Sequence, residues 1–424
     1  MREDWKEIRI KDFCSYVSRG IAPNYVDNSD YFVVNQATFS RGFFDLDNIR
    51  YTDNNNPNAL LRDNDLLMAS TGGGVLGKVY FYQKFDDKEY YADTHVTILR
   101  SVKESTKFLY YIFSTKYDYI NSILAKGSTN QTELQRDKLL NYAFNRPPLP
   151  KQHALVNYLD EKLAVIDRHI LLLEKKRKRY TALRKSLINK TVRYGLNPDV
   201  ELKDSGIEWL GKIPKHWEVK RMKDIGYIYS GLSGKSGEDF NNDETEYNRP
   251  FIPYTNILNN LYIDVNQTKG VVIYENENQN RVKKDDLFFL MSSEDYESLG
   301  LSSILIEEAP ELYLNSFCKG FRFTCQNIYP KFVNFQLRSD LFRDAMRLEG
   351  RGFTRINLKI DKITSQFVSL PPLSEQQTIA CYLDAQSEKI DRIVANINMQ
   401  LDKLTNLKKS LINECVTGER IIQI

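Results

Sequence analysis

The sequence predicts an α+β chain in which two similar globular heads are joined by two long helices that form an antiparallel coiled coil. Three observations predict this fold. A segment from the middle of the chain recurs without a gap 224 positions later, and apolar residues recur every seven positions in both copies. The two remaining blocks also share short motifs, although they have diverged further. We therefore expect a pseudo-two-fold internal repeat.

The two repeated segments begin at Pro147 and Pro371, each with Pro-Pro-Leu. Residues typical of the beginning and the end of a helix flank these segments. A capping-box pattern follows the second proline pair at Ser374, and Gly195 and Gly418 come just after the two runs. The further matches are Gln152/Gln376, Tyr158-Leu159-Asp160/Tyr382-Leu383-Asp384, Ile166-Asp167-Arg168/Ile390-Asp391-Arg392 and Lys185-Ser186-Leu187-Ile188-Asn189/Lys409-Ser410-Leu411-Ile412-Asn413.

Apolar residues in both repeated segments follow the heptad spacing of a coiled coil. A helix of about forty residues is about 60 Å long, and a narrow apolar stripe of that length requires one partner helix. Because the two stripes match in length and phase, we expect each helix to pair with the other. The alternative is that each packs on its own globular neighbour. The predicted interface is Leu159, Ile166, Leu173, Tyr180 and Leu187 with Leu383, Ile390, Ile397, Leu404 and Leu411.

The two heads are predicted as diverged copies of one α+β domain. Trp5-Lys6-Glu7-Ile8 resembles Trp217-Glu218-Val219-Lys220, and Asp65-Leu66-Leu67 resembles Asp286-Leu287-Phe288. Short β-rich runs and helical stretches near 107–124 and 331–348 alternate in both. The predicted order is a first head at 1–145, a first helix at 146–195, a linker at 196–211, a second head at 212–368, and a second helix with its tail at 369–424.

Composition limits the classes of protein. No apolar run is long enough to span a bilayer, the N-terminus is charged, and five scattered cysteines lack metal-ligand spacing. We expect a reduced, cytoplasmic protein without a metal site. The first helix, 146–195, carries 13 Lys and Arg against 4 Asp and Glu. Its basic run, Lys175–Arg179, is either a solvated face or a surface for a polyanion or an acidic partner.

Three motifs in this order resemble the specificity subunit of a Type I restriction–modification enzyme. They are the loop and strand from Asp65-Leu66-Leu67 to Gly77-Lys78-Val79, the run Asp204–Gly211 followed by Ile213-Pro214-x-His216-Trp217, and Leu370–Gln377 before the second helix. The resemblance covers the full length. It is strong in the helices and the linker and weak in the heads.

This resemblance implies a non-catalytic, DNA-binding subunit. Each head would be a target-recognition domain for one half of a split, asymmetric DNA site, and the helix pair would set the distance between the halves. Half-sites about 34 Å apart lie within the reach of a helix of about 60 Å. The implied partners are double-stranded DNA, two adenine-N6 methyltransferase subunits that use S-adenosylmethionine, and two ATP-driven, Mg²⁺-dependent motor–nuclease subunits. No cofactor is expected in this chain.

Other functions are weaker interpretations of the residues. Gly72-x-x-x-x-Gly77-Lys78 begins like a phosphate-binding loop, but Val79 follows where a hydroxyl would bind Mg²⁺. Pro198-Asp199 and Glu218-x-Lys220 have the residue order of a metal-dependent nuclease, although the pattern is loose. A coiled-coil scaffold with two protein-binding heads is the remaining alternative.

Candidate DNA-contacting residues lie in aligned loops of the two heads. Arginines recur every four residues from Arg343 to Arg355, and arginine suits bidentate contacts to phosphate or guanine. A solvated helix face paired with acidic neighbours is the alternative for this series. The candidates in both heads are Ser70, Thr71, Gly72, Gly73, Lys78, Lys126, Ser128, Thr129, Asn130, Gln131, Ser292, Ser293, Tyr296, Arg343, Arg347, Arg351, Thr354 and Arg355.

Overall fold

The computed structural model describes residues 4–127, 132–241, 246–352, 354–420 and 422. The chain divides into two compact units, one of residues 1–174 with 398–424 and the other of residues 175–397. Each unit therefore contains one head and part of both long helices. In the described part of the chain, no helix combines the length and the apolar character that crossing a membrane requires.

Twelve described strands and six described α-helices begin in the first unit, and the last of these helices continues into the second unit. The strands are β1 Lys6–Arg9, β2 Tyr16–Arg19, β3 Tyr25–Val26, β4 Tyr31–Val34, β5 Arg50–Thr52, β6 Leu66–Ala69, β7 Val79–Phe81, β8 Glu89–Ala92, β9 Val96–Arg100, β10 Ala125–Lys126, β11 Glu133–Leu134 and β12 Ala143–Arg146. The helices are α1 Ile10–Phe13, α2 Gln36–Phe39, α3 Thr106–Ser114, α4 Tyr117–Tyr119, α5 Arg136–Leu140 and α6 Leu149–Tyr194.

The second unit repeats this arrangement with thirteen described strands. They are β13 Leu202–Asp204, β14 Lys212–Pro214, β15 Glu218–Arg221, β16 Gly226–Ser230, β17 Asn248–Ile252, β18 Lys269–Val272, β19 Leu287–Leu290, β20 Ser292–Ser293, β21 Ser302–Ile304, β22 Tyr313–Leu314, β23 Cys318–Phe323, β24 Ile356–Asn357 and β25 Phe367–Leu370. The helices are α7 Met222–Ile225, α8 Tyr254–Asn259, α9 Pro330–Leu337, α10 Asp340–Glu349, α11 Ile360–Thr364 and α12 Leu373–Thr417, which ends in the first unit.

The main sheets have matching strand orders in the two heads. The first head has a four-stranded antiparallel sheet, β2-β9-β6-β7, and the second has β16-β23-β19-β21. A second sheet, β3-β5-β4-β8, corresponds to β18-β17-β22, and one pair of strands in each is parallel. The α+β class and the internal repeat predicted from the sequence are confirmed.

One buried ion pair is present in both heads and explains the shared Asp-Leu motif. Asp65 accepts hydrogen bonds from Arg100 Nε at 2.6 Å and Nη2 at 2.7 Å. Asp286 accepts from Arg322 Nε at 2.9 Å and Nη2 at 2.6 Å. Both carboxylates are buried, and two-point contacts of this kind satisfy a buried charge. The pair joins adjacent strands of the main sheet in each head.

We expect Asp286→Ala to destabilise the second unit by about 3 kcal/mol, because Arg322 would keep a largely buried charge without its partner. Urea unfolding followed by tryptophan fluorescence measures the change. Glu388→Ala is the control, since the pair of Glu388 with Arg392 is exposed and is worth less than about 1 kcal/mol. Equal effects of the two substitutions would contradict the role given to the buried pair.

A buried glutamine attaches each long helix to its head. Gln152 donates from Nε2 to Pro147 O at 2.9 Å and accepts from Ser105 N at 3.0 Å. Gln376 makes the two equivalent bonds in the second unit, at 2.8 Å each. Because both amides are buried, the hydrogen bonds fix the angle at which the helix leaves the head. This contact explains why Pro-Pro-Leu and the glutamine recur together.

The long helices pair antiparallel, as predicted. Within the first unit Lys408 contacts Asp167 at 2.7 Å, and within the second Arg184 contacts Asp391 at 2.6 Å. The two ion pairs join equivalent positions, each late in one helix and early in the other. Among the predicted interface residues, Leu159, Ile166, Leu383, Ile390, Ile397 and Leu411 are buried, and Leu173, Tyr180, Leu187 and Leu404 are half-buried. The basic run Lys175–Arg179 is mostly exposed.

Candidate nucleic-acid interface

In the first head, the glycine loop lies against the end of the second candidate loop. Gly72 N donates to Thr132 O at 3.1 Å, and Leu134 N donates to Ser70 O at 2.8 Å. Thr71 forms a β-bridge with Glu133 between these bonds. Two segments about sixty residues apart in sequence therefore form one surface. Of the predicted residues, Lys126 is exposed beside this surface, and Ser128, Thr129, Asn130 and Gln131 lie outside the described residues.

The glycine loop joins β6 to β7, so a strand follows it, as expected, and not the helix of a phosphate-binding loop. Gly72 and Gly77 have φ of +94° and +82°, a conformation that favours glycine. A Cβ at Gly77 would lie 2.6 Å from the side chain of Ile120. Gly73 is exposed and Lys78 is half-buried. The glycines thus allow a tight turn that packs closely on the head.

Two residues that the sequence did not single out complete this surface. Thr71 Oγ1 lies 2.6 Å from His95 Nδ1 and 3.3 Å from Gln36 Oε1. Gln36 opens α2, and His95 lies in the turn between β8 and β9. Ser70, by contrast, is buried and hydrogen-bonds to the hydroxyl of Thr97 at 2.5 Å. Its side chain holds the sheet together and does not face solvent.

In the second head, the equivalent segments also meet. Ser292–Ser293 pairs with Ile356–Asn357 directly after Thr354 and Arg355, both of which are exposed. Ser292 is half-buried, Ser293 is buried, and Tyr296 is exposed. A cleft of about 400 Å³ opens here; it is lined by Tyr254, Leu258, Ser292, Ser293, Glu294, Asp295, Ser298, Phe317 and Arg355.

The four arginines of the predicted series have different surroundings. Arg343 is 5% exposed, and its Nη2 donates to Glu297 O at 2.8 Å and Leu299 O at 2.5 Å. Burial, and then the neighbouring charge of Arg347, lower the pKa of Arg343 to about 10. Arg343 therefore supports a loop from inside the head.

The other three arginines lie closer to solvent. Arg347 forms ion pairs with Glu297 and Asp344, and Arg351 donates to the backbone at Leu348 and Gly350. The guanidinium of Arg355 lies over the ring of Phe317, 5.8 Å from its centroid, and contacts no carboxylate of the described residues. Within the series, Arg355 is the arginine whose guanidinium makes no ion pair or hydrogen bond with the described residues, so all of its donors are open to a ligand.

The nuclease pattern is not assembled as a metal site in the described part of the chain. Glu218 and Lys220 pair with each other at 3.4 Å on β15, and Asp199 is exposed in the linker. Among the described residues, no group of three or more His, Cys, Asp or Glu side chains is placed to hold a metal ion.

Comparisons with known proteins agree with this architecture. The family model for the Type I restriction modification DNA specificity domain matches residues 2–178 and 214–403. The specificity subunit of the type I restriction enzyme MjaVIII from Methanocaldococcus jannaschii is 22% identical over 433 residues, 98% of this chain and 93% of that protein.

Two solved structures share the fold. A chain from a structure described as the structural basis of complex assembly and conformational transition of the type I R-M system superposes with a TM-score of 0.72, at 14% identity and 99% coverage of both chains. The HsdS subunit of Thermoanaerobacter tengcongensis superposes with a TM-score of 0.53, at 14% identity, 99% coverage of this chain and 98% of that one. With most of its length matched by the family model, the chain belongs to the family of Type I restriction–modification DNA specificity subunits.

Proposed function

We propose that this DNA specificity subunit recognises a bipartite, asymmetric sequence in double-stranded DNA, with one half contacted by each head. The observation that carries the proposal is that the heads share one strand order and one buried ion pair but present different side chains at equivalent loops. Two similar domains with different contact residues suit two different half-sites. The paired helices would then set the number of base pairs between the halves.

In this proposal, partner subunits carry out the methylation and the cleavage of DNA. We propose two methyltransferase subunits that use S-adenosylmethionine to methylate adenine N6, joined by two ATP- and Mg²⁺-dependent motor–nuclease subunits, all in the cytoplasm. The heads are close to neutral, since residues 1–145 carry 18 basic and 19 acidic side chains. Because phosphate contacts supply most of the affinity for DNA, tight binding is expected only when the methyltransferase subunits contribute to the interface.

Methylation mapping tests this function. The chain is co-expressed with the methyltransferase subunit of its own system in a host without modification enzymes, and N6-methyladenine is mapped across the genome. We expect one split motif that is absent when this chain is omitted. Co-purification of the two proteins without a motif, under conditions where the methyltransferase binds S-adenosylmethionine, would contradict a role in sequence recognition.

A further inference from the structure

Three positions are structurally equivalent in the two heads but differ in chemistry. Gln36 and Tyr254 each open a helix, α2 or α8, after a strand of the second sheet. Thr71 and Ser292 each follow an inner strand of the main sheet, β6 or β19, and each pairs with a residue of the second candidate loop region of its head. The third position is occupied by His95 in the first head and by Phe317 in the second.

The backbone confirms the third equivalence. His95 N donates to Asp93 Oδ1 at 2.8 Å, and Phe317 N donates to Asn315 Oδ1 at 2.9 Å, so the same turn precedes β9 and β23. The framework is therefore retained while the side chains that project from it have changed. His95 and Phe317 are exposed, so packing of the core does not account for the change.

The first head presents a hydrogen-bonding group. The hydroxyl of Thr71 has one proton, which it donates to Gln36 Oε1 when it accepts from His95 Nδ1–H. This arrangement fixes the amide of Gln36, and among the described residues it leaves the two Nε2 protons and one oxygen lone pair for a ligand. A glutamine amide matches the N6 donor and N7 acceptor of adenine in the major groove. Thr71 is then a positioning residue.

The second head presents an arginine against an aromatic ring. Phe317 is 57% exposed, and the Arg355 guanidinium lies 5.8 Å from its ring centroid. The cleft also contains two carboxylates, of which Asp295 is engaged by Ser298 N at 2.7 Å. An arginine that lies over an aromatic ring keeps its donors available, and the planar guanidinium suits bidentate donation to O6 and N7 of guanine.

We propose that the Gln36–Thr71–His95 group recognises an adenine in one half-site, and that Arg355, held by Phe317, recognises a guanine in the other. This inference rests on the proposed function. It assigns a base contact to Gln36 and supporting roles to His95 and Phe317, none of which belongs to the sequence-derived set of candidates, and it selects Arg355 from the arginine series.

The assignment is tested by mapping the methylated motif of each variant in the complete complex. Gln36→Ala should reduce the preference for one adenine by about 10- to 100-fold, the discrimination of one bidentate contact, and leave the other half-site intact. Arg355→Ala should do the same for one guanine in the opposite half. Each half-site thus serves as the internal control for the other. Arg392→Ala, an exposed arginine on α12, should leave the motif unchanged.

Two variants of Thr71 distinguish a positioning role from an effect on folding. Thr71→Val keeps the shape but removes both hydrogen bonds, so it should relax the same adenine as Gln36→Ala, and Thr71→Ser should restore the preference. Variant motifs identical to that of the wild-type complex, or a uniform loss of methylation with unchanged base preference, would overturn the assignment. The absence of a split motif in the wild-type complex would instead refute the proposed function.

Discussion

Replacing residues 1–145 with the first head of another family member is expected to change one half of the methylated motif and leave the other half intact. Among the described residues, each head has its own two larger sheets and its own hydrophobic clusters. The graft must retain the residues that bind α6, because Ser105 N donates to Gln152 Oε1 and Lys107 pairs with Asp160 at 2.6 Å. Genome-wide mapping of N6-methyladenine measures the result.

The reciprocal graft is the control for this exchange. Replacing residues 212–368 should change the opposite half of the motif, provided that Lys331 is kept, since it pairs with Asp384 as Lys107 pairs with Asp160. A motif that changes in both halves after one graft would show that the heads do not act independently. A motif unchanged after the first graft would place its recognition outside residues 1–145.

Inserting seven residues in α6 alone, after Glu174, is expected to abolish methylation. The insertion retains the heptad phase but lengthens one helix by about 10 Å between its portions in the two units. Since α12 would keep its length, the pairing of Lys408 with Asp167 and that of Arg184 with Asp391 could not both persist. Methylation and the midpoint of thermal unfolding are measured together, and both should fall.

A matched double insertion is the control. Seven residues added after Glu174 and seven added after Ile397 lengthen both helices equally, so the unfolding midpoint should return to near its original value. Methylation is a separate readout, because a change of about 10 Å also alters the position of the second head along the DNA. Full methylation after the single insertion would contradict mutual pairing of the helices.

The sequence determined the large-scale organisation of this protein. The gapless repeat from Pro147 and Pro371, with a heptad of apolar residues in each copy, predicted two long helices that pair, and α6 and α12 run over Leu149–Tyr194 and Leu373–Thr417. Apolar residues recur at heptad positions, and burial along a paired helix follows the same period. The sequence pattern alone is therefore sufficient to predict the helices and the face of each that is buried. The repeated Asp-Leu motif likewise indicated equivalent strands before Arg100 and Arg322 were known as the partners of Asp65 and Asp286.

Separate motifs of the sequence also prove to be parts of one contact. Trp217 of the linker signature is buried and donates from Nε1 to Glu375 at 3.2 Å, and His216 contacts the same carboxylate at 2.7 Å. The sequence indicated that both segments are typical of the family but did not predict that they contact each other. The reason for their joint presence is that the start of α12 packs on the start of the second head.

Only the tertiary structure decided which side chains form the candidate interface. Thr71 lies 35 residues from Gln36 and 24 from His95, in a separate segment of the first head, and no period connects these positions. Regular spacing also did not show which arginines reach solvent, because the first of the series, Arg343, points into the head. Periodic patterns report which face of a helix or strand is buried, whereas convergence of loops depends on how the strands are connected and paired.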